Sequence, residues 1–385
     1  DGEFTNAIGK RGVVGVINSK GVAVDKFGNK YITGGFYGTV AFGLDTLSSN
    51  GYEDIFISKL NKDNNFLWAK KAGGDDLDQG KSIACDTFGN VYVTGYFSNY
   101  FIFGQTSLQS KGFSDIFVLK LDSLGNFINV QSAGSVLSDV ANSIAISNNG
   151  NVYLTGLVSD NVEFGNIQLS NVKEEDIFVA KLNSDFEWEW AVNAVGIGWD
   201  AGNSIAVDSA ENIFITGYID ENANFGSIYL NGYGFDDIFV ARIDNSGTWL
   251  WAKASGSSFT GEQGTSIVLD NNSIYVSGTY KNISPFGAVS LVSKGGSDAF
   301  IARLNYSGTW LWAKSVGSTM DDEGKSLSIY NGNIYFAGNF SANFSINDST
   351  FTNQGGKDIF LICYNSNGNM LWKQTVGLNY DDDVE

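Results

Sequence analysis

Acidic side chains recur along this chain at a regular spacing, and they are its candidates for metal binding or acid–base catalysis. They are separated by 60 to 62 residues and comprise Asp78, Asp139, Asp200, Glu262, Asp322 and Asp382. Because Ca²⁺ prefers six to eight oxygen ligands, repeated carboxylates of this kind predict calcium sites, and Asp321 adds a further ligand beside Asp322. The alternative interpretation is that each carboxylate accepts hydrogen bonds from backbone N–H groups of its own loop or of the neighbouring repeat.

Aromatic residues stand beside this acidic series at two places, Trp199-Asp200 and Tyr380-Asp381. These pairs interrupt the regularity of the series. Aromatic rings offer a large apolar surface to a partner, so we predict Trp199 and Tyr380 as ligand-binding residues.

Histidine is absent from all 385 residues, and this restricts the catalytic chemistry. The chain therefore contains no Ser-His-Asp or Cys-His arrangement and no imidazole zinc site, and we predict no catalytic residue. Glycoside hydrolysis by a pair of carboxylates is the one enzymatic alternative that the composition leaves open.

Other sequence motifs recur with the same spacing as the acids. An internal repeat must therefore determine where the acids lie. An Asp-Ile-Phe motif, with Ala replacing Ile in the fifth copy, begins at Asp54, Asp115, Asp176, Asp237, Asp298 and Asp358, and a glycine slot reads Gly34, Gly95, Gly156, Gly217, Gly278 and Gly338. A repeat of about 61 residues is a complete supersecondary unit. We divide the chain into a lead or edge strand at 1–20 and repeats at 21–81, 82–142, 143–203, 204–265, 266–325 and 326–385.

Each repeat resolves into four short segments rich in β-branched and aromatic residues, which we name A, B, C and D. Asp-x-x-Gly-Asn turns join A to B, as at Asp25–Asn29, and similar turns join C to D. No segment has a sustained helical period. The sequence therefore predicts an all-β β-propeller of six four-stranded blades closed into a ring, with residues 21–385 as one domain.

Strand alternation predicts that the long B–C and D–A connections share one face of the propeller. Because binding residues usually lie on loops held by a rigid scaffold, we place the functional site there. The aromatic residues of strand D, such as Trp68, Trp251 and Trp312, are expected in the core between blades, with a sugar-binding platform as the alternative. The C-terminal tail is expected to dock beside the first blade.

The composition restricts the partners. A formal charge of −19 with a pI near 4.3 opposes binding to nucleic acid, which requires clustered Lys and Arg. No apolar run is long enough for a transmembrane segment. We expect a monomeric domain that acts outside the cell or at a bacterial cell surface.

The repeats resemble the bacterial SBBP repeat, which is named for a seven-bladed β-propeller. The similarity covers nearly the whole chain, as in the segment Asp208–Tyr218, the segment Asp237–Asp244 and the segment Trp249–Lys253. It implies an extracellular or surface-anchored bacterial protein, with no catalytic residues to transfer. This chain departs from the family name in having six copies.

These observations predict a non-catalytic, adhesin-like module that binds a protein or a glycan through the B–C and D–A loops, with a calcium-dependent form among the expectations. Two alternatives remain open at this point. One is a polysaccharide-active enzyme that uses carboxylates of the loop face, and the other is a structural spacer in a larger surface protein.

Overall fold

The computed structural model describes residues 14–384, apart from 171, 173, 259, 260 and 272, and these residues form β-strands joined by turns. The described residues contain no helix, and each repeat forms a four-stranded antiparallel sheet in the order A, B, C, D. The predicted all-β propeller with six four-stranded blades is therefore confirmed.

The chain divides into two compact units, and blades 1 and 2, with blade 3 as far as residue 193, lie in the unit whose described part is residues 14–193. Blade 1 comprises β1 Val14–Val24, β2 Lys30–Phe42, β3 Asp45–Ser48, β4 Asp54–Leu60 and β5 Phe66–Ala72. Blade 2 comprises β6 Gln79–Cys85, β7 Val91–Phe97, β8 Tyr100–Phe103, β9 Thr106–Gln109, β10 Asp115–Leu121 and β11 Phe127–Gly134. Blade 3 comprises β12 Val140–Ile146, β13 Val152–Val158, β14 Val162–Phe164, β15 Ile167–Leu169, β16 Asp176–Leu182 and β17 Trp188–Gly196.

Blades 4 to 6 lie in the second unit, whose described part is residues 194–384. Blade 4 comprises β18 Ala201–Val207, β19 Ile213–Ile219, β20 Asn222–Phe225, β21 Ile228–Asn231, β22 Asp237–Ile243 and β23 Trp249–Ser255. Blade 5 comprises β24 Gln263–Asp270, β25 Ser273–Phe286, β26 Val289–Asn305 and β27 Trp310–Val316. Blade 6 comprises β28 Glu323–Tyr330, β29 Asn333–Phe340, β30 Phe344–Ile346, β31 Ser349–Phe351, β32 Asp358–Tyr364 and β33 Met370–Val376.

Strand A begins before the predicted start of its repeat. A β-bulge lets strand A continue its pairing with strand B past that point. In blade 2 the register shifts between Gly80 and Ser82, so that Gln79 still pairs with Tyr96. In blade 1 the same bulge extends β1 back to Val14, inside the predicted lead. Residues 1–13 of that lead lie outside the described residues.

The bulge also explains the repeated glycine slot on strand B. A Cβ atom built on Gly156 would lie 2.0 Å from the carbonyl oxygen of Val140, and one on Gly95 or Gly217 would lie 1.9 Å from the corresponding oxygen. Real side chains do not approach backbone oxygens so closely. The slot therefore requires glycine because the bulged strand A passes directly over it.

We expect Gly156→Ala to lower the free energy of unfolding by roughly 2–4 kcal/mol, because the new methyl group must displace backbone. Gly104→Asn is the control, since Gly104 has no atom within 4 Å of its Cβ position and a φ of 63°, which asparagine tolerates. Urea unfolding followed by circular dichroism compares the two variants. An equal loss in both would contradict the proposed role of the bulge.

Neighbouring blades within a unit are joined through strand A and through the tryptophans of strand D. The backbone N–H of Ile144 donates to Ser82 Oγ at 3.3 Å, and that of Leu327 donates to Ser266 Oγ at 3.1 Å. Three indole groups donate to a carbonyl oxygen in the C–D turn of the next blade: Trp68 to Ser123, Trp251 to Tyr306 and Trp312 to Ser366. These bonds confirm the prediction that the three tryptophans lie between blades.

The described part of the C-terminal tail bonds to blade 6. Asn339 Nδ2 donates to the carbonyl oxygen of Asp382 at 2.9 Å and to Asp383 Oδ1 at 2.7 Å. Closure of the ring and docking of the tail beside blade 1 concern the placement of the two units and stay predictions.

Candidate functional site

The B–C segment and the D–A loop lie at the same end of each blade, and we call this end the loop face. In blades 1, 2 and 5 the backbone N–H of Asp78, Asp139 and Asp322 donates to a carbonyl oxygen at the end of the B–C segment at 2.8 Å. Glycines allow this close approach: a Cβ on Gly51 would lie 2.0 Å from the carbonyl oxygen of Asp75. The B–C segments fold back as small hairpins, as β8 does on β9.

The side chain of Asp78 joins three segments of the N-terminal unit. It is fully buried, its Oδ2 accepts from Gly74 N in its own loop at 2.7 Å, and its Oδ1 accepts from Ser98 N of blade 2 at 3.0 Å. Its own N–H binds Glu53 O, also in blade 1. The carboxylate thus fixes the D–A loop to the next blade, because it satisfies N–H groups that strand pairing leaves free.

The other acids of the series are also held at backbone N–H groups. Asp139 bonds Ser135 N and Ser159 N, Asp322 bonds Ser318 N and Ser341 N, and Glu262 bonds Ser257 N and Lys281 N, all at 2.5–2.9 Å. Asp200 accepts from Asp220 N at 2.6 Å, and Asp382 from Leu378 N at 2.7 Å. This bonding corresponds to the capping alternative. Asp321, which is exposed, accepts from Ser297 N at 2.9 Å.

A second buried carboxyl group lies close to the first, at the start of strand C. In blade 1 the carboxyl groups of Asp54 and Asp78 lie on either side of Gly73, whose Cβ would meet Asp78 Oδ2 at 2.8 Å and Asp54 Oδ1 at 3.1 Å. Asp54 Oδ2 accepts from Asn50 N at 3.1 Å, whereas its buried Oδ1 has no hydrogen-bond partner. The loop acid of blade 1 therefore faces another acid.

Burial, with a contribution from the neighbouring acid, raises the pKa values of these carboxyl groups. The pKa of Asp78 rises to about 7, chiefly through burial and further through the charge of Asp54. Burial likewise raises the pKa of Asp139 and of Asp298 to about 6, and their partners Asp115 and Asp322 add to the shift. Two nearby carboxylates that have left water favour binding a proton or a cation between them.

The predicted calcium ligands do not converge into one larger cluster. Across the described residues, no three side chains of Asp, Glu or Cys come together in a group that could hold a metal ion. A cation at this face would instead be held by one carboxylate pair and backbone oxygens. The calcium site stays a prediction.

The two predicted ligand-binding aromatics lie at the surface of the second unit. Trp199 is 65% exposed and Tyr380 is 83% exposed, and each precedes an acid of a D–A loop. The loops also expose Ile197, Met320 and Leu378. Large apolar side chains are therefore exposed on D–A loops whose backbone N–H groups bond to carboxylates.

Comparison with known proteins agrees with this fold. Residues 68–96 and 199–226 match the family model of the SBBP β-propeller repeat. An uncharacterized WD repeat-containing protein of Acanthamoeba polyphaga mimivirus is 25% identical over 330 residues, or 68% of this chain and 24% of that protein. Regulatory protein FlaEY of Caulobacter vibrioides is 22% identical over 333 residues, or 79% of this chain and 34% of that protein. The chain thus spans about a quarter to a third of these relatives.

Two solved structures show distant similarity to this chain. A protein of unknown function from Bacteroides caccae aligns with a TM-score of 0.42 at 13% identity, covering 84% of this chain and 91% of that one. Synechocystis apocarotenoid oxygenase aligns with a TM-score of 0.41 at 10% identity, covering 90% of this chain and 73% of that one. Neither similarity carries an argument about activity.

No helix in the described part of the chain has the length and apolar character needed to cross a membrane. The repeats, the six four-stranded sheets and the two matched segments agree with one another. This chain is a β-propeller repeat protein, and two of its segments match the SBBP repeat.

Proposed function

We propose that this chain is a non-catalytic interaction module that binds a protein or a glycan through its loop face, outside the cell or at a bacterial cell surface. The observation that carries the proposal is the exposure of Trp199 and Tyr380 on loops whose backbone bonds to an acid, the buried Asp200 and the half-buried Asp382. Aromatic anchors on a preorganised surface supply much of the binding energy in protein interfaces. The charge of −19 favours a partner that is neutral or basic.

The buried position of the loop acids argues against the enzymatic alternative. Asp78, Asp139 and Asp322 are almost completely buried and bond to backbone N–H groups, so that their oxygens do not face a dissolved polysaccharide. A glycosidase requires two carboxyl groups that flank the scissile bond. The contacts of these acids support a scaffold role.

We expect Trp199→Ser and Tyr380→Ser to weaken binding at least tenfold, because each removes a large apolar contact. The chain provides matched controls at the opposite, turn-bearing end of the blades, where Phe27 is 66% exposed and Phe88 is 83% exposed. Phe27→Ser and Phe88→Ser should change affinity less than twofold. The test measures saturable binding of the labelled chain to immobilised cellulose, chitin, xylan, mannan, collagen and fibrinogen.

Release of reducing ends from the same polysaccharides is measured in parallel. Saturable binding without turnover, lost only in the loop-face variants, supports the proposal. Turnover of any polysaccharide would identify an enzyme. Equal effects of the loop-face and control substitutions would show that the loop face is not the binding surface, and no saturable binding to any member of the panel would favour the spacer.

A further inference from the structure

The second unit contains an open pocket where the D–A loop of blade 4 meets the B–C hairpin of blade 5. The pocket has a volume of about 540 Å³, within the range of small-molecule sites. Its lining includes Tyr233 and Ser258 from blade 4 and Asn282, Ile283 and Pro285 from blade 5. None of the described lining residues carries a charge.

Two of the lining residues and the length of one loop have no counterpart in the other blades. At the position of Tyr233 the other five blades have an aliphatic, amide or basic residue: Asn50, Lys111, Val172, Lys294 and Gln354. Pro285 is the single proline of the chain. The D–A loop of blade 4 is also one residue longer, because Glu262 follows Ser257 by five positions where Asp322 follows Ser318 by four. A repeated scaffold needs none of these changes for its own packing.

A buried polar network beneath the pocket accompanies these changes. Glu262 Oε1 accepts from Ser284 Oγ at 2.6 Å, and Glu262 Oε2 accepts from Ser257 Oγ at 2.8 Å. In the other blades the slot of Ser284 holds a buried apolar residue: Val40, Phe101, Val162, Ala223 and Phe344. The longer carboxylate of Glu262 and the hydroxyl of Ser284 therefore form a coupled replacement that fixes both walls of the pocket.

We propose that this pocket binds a neutral sugar residue, an inference that rests on the proposed function and assigns its ligand class. A pyranose has apolar C–H faces and a rim of hydroxyl groups. The ring of Tyr233, with Ile283 and Pro285, offers the apolar surface for such a face, and the amide of Asn282 and the hydroxyl of Ser258 can exchange hydrogen bonds with its rim. An ionised ligand would leave water without meeting an opposite charge among the described lining residues, which is unfavourable.

The test uses saturation-transfer NMR on the full chain with four probes: methyl α-mannopyranoside, methyl β-glucopyranoside, methyl β-galactopyranoside and N-acetylglucosamine. We expect at least one probe to give a saturable signal that Tyr233→Ala weakens at least tenfold. Tyr229→Ala is the matched control, because Tyr229 lies in the same B–C segment with 60% exposure against 51% for Tyr233, and lines no part of the pocket. Both tyrosines are exposed, so neither substitution should disturb folding.

Each outcome decides the inference separately from the proposed function. No saturable signal from any probe up to 50 mM, or equal signals in the wild-type chain and Tyr233→Ala, overturns the sugar pocket. If binding to the immobilised panel then remains sensitive to Trp199→Ser, the proposed function stands without this pocket. A probe signal lost in Tyr233→Ala and kept in Tyr229→Ala supports both.

Discussion

Asp322→Ala is expected to lower the free energy of unfolding of this chain by about 3 kcal/mol, because it leaves buried donors without an acceptor. Asp322 is fully buried, and its carboxylate accepts from Ser318 N at 2.5 Å, Ser318 Oγ at 3.1 Å and Ser341 N at 2.8 Å. The substitution therefore opens the D–A loop of blade 5 and removes its connection to blade 6. The loss of an unfavourable buried charge offsets part of the effect.

Thermal unfolding of the variant should show a melting temperature lower by roughly 5 °C or more. Asp348→Ala is the control, since Asp348 is exposed in the turn between β30 and β31, and should change the melting temperature by about 1 °C or less. Asp322→Asn retains an acceptor oxygen and should fall between the two. If Asp322→Ala melts like Asp348→Ala, the carboxylate does not hold the loop.

Acidification from pH 7.5 to pH 5 is expected to stabilise the chain, in contrast to proteins whose acids form ion pairs. Burial raises the pKa of Asp78 to about 7 and those of Asp139, Asp237 and Asp298 to about 6, from an ordinary value of 3.8. The folded chain therefore binds protons more tightly than the unfolded chain. Stability from such a group is complete below the unfolded pKa and is lost as the pH rises through the folded pKa.

Between pH 7.5 and pH 5 the expected gain is about 2.5 kcal/mol for Asp78 and about 1.4 kcal/mol for each of the three groups whose pKa rises to about 6. Acids with lowered pKa values act in the opposite direction, among them Asp25 and Asp122, whose carboxylates accept backbone N–H bonds in the tight turns. Their contribution is lost only as the pH falls below about 4, near the unfolded pKa. The melting temperature should therefore pass through a maximum near pH 4–5.

Differential scanning calorimetry across this range tests the prediction, with Asp78→Asn as the variant that should flatten the profile. Asp76→Asn is the matched control, because Asp76 lies in the same loop and is exposed. A melting temperature that falls steadily from pH 7.5 to pH 5 would rule out buried acids as the source. The same series tests the predicted calcium sites, since Ca²⁺ held by the carboxylate pairs should raise the melting temperature at pH 7.5 and EDTA should reverse the increase.

Much of the fold was predictable from the sequence, because equivalent positions in the six repeats have the same local environment and therefore the same type of residue. The stride of Asp54, Asp115 and their equivalents identifies the blades, and the alternation of apolar residues identifies four strands in each. The tryptophans of strand D indicated a core between blades, and the hydrogen bond of the Trp68 indole agrees with it. The repeated glycine at Gly95 and Gly156 marked the repeat, but the close approach of the bulged strand A became visible only in the structure. For the repeated acid at Asp78 the sequence left two interpretations open, a calcium ligand and a loop cap, and only the structure shows the backbone N–H groups from which its carboxylate accepts hydrogen bonds.

Contacts between segments distant in sequence were decided only by the tertiary structure. Nothing in the sequence places Asp54 beside Asp78, and their pKa values depend on that contact and on burial. In the sequence Glu262 is a conservative replacement for aspartate. In the structure its longer side chain brings the carboxylate to Ser284, 22 residues further along the chain. The periodicity of the sequence determines the position of a residue within the strands and turns of a blade, because it reflects local backbone geometry. Stacking of blades determines what that residue touches, because neighbours across an interface come from different repeats.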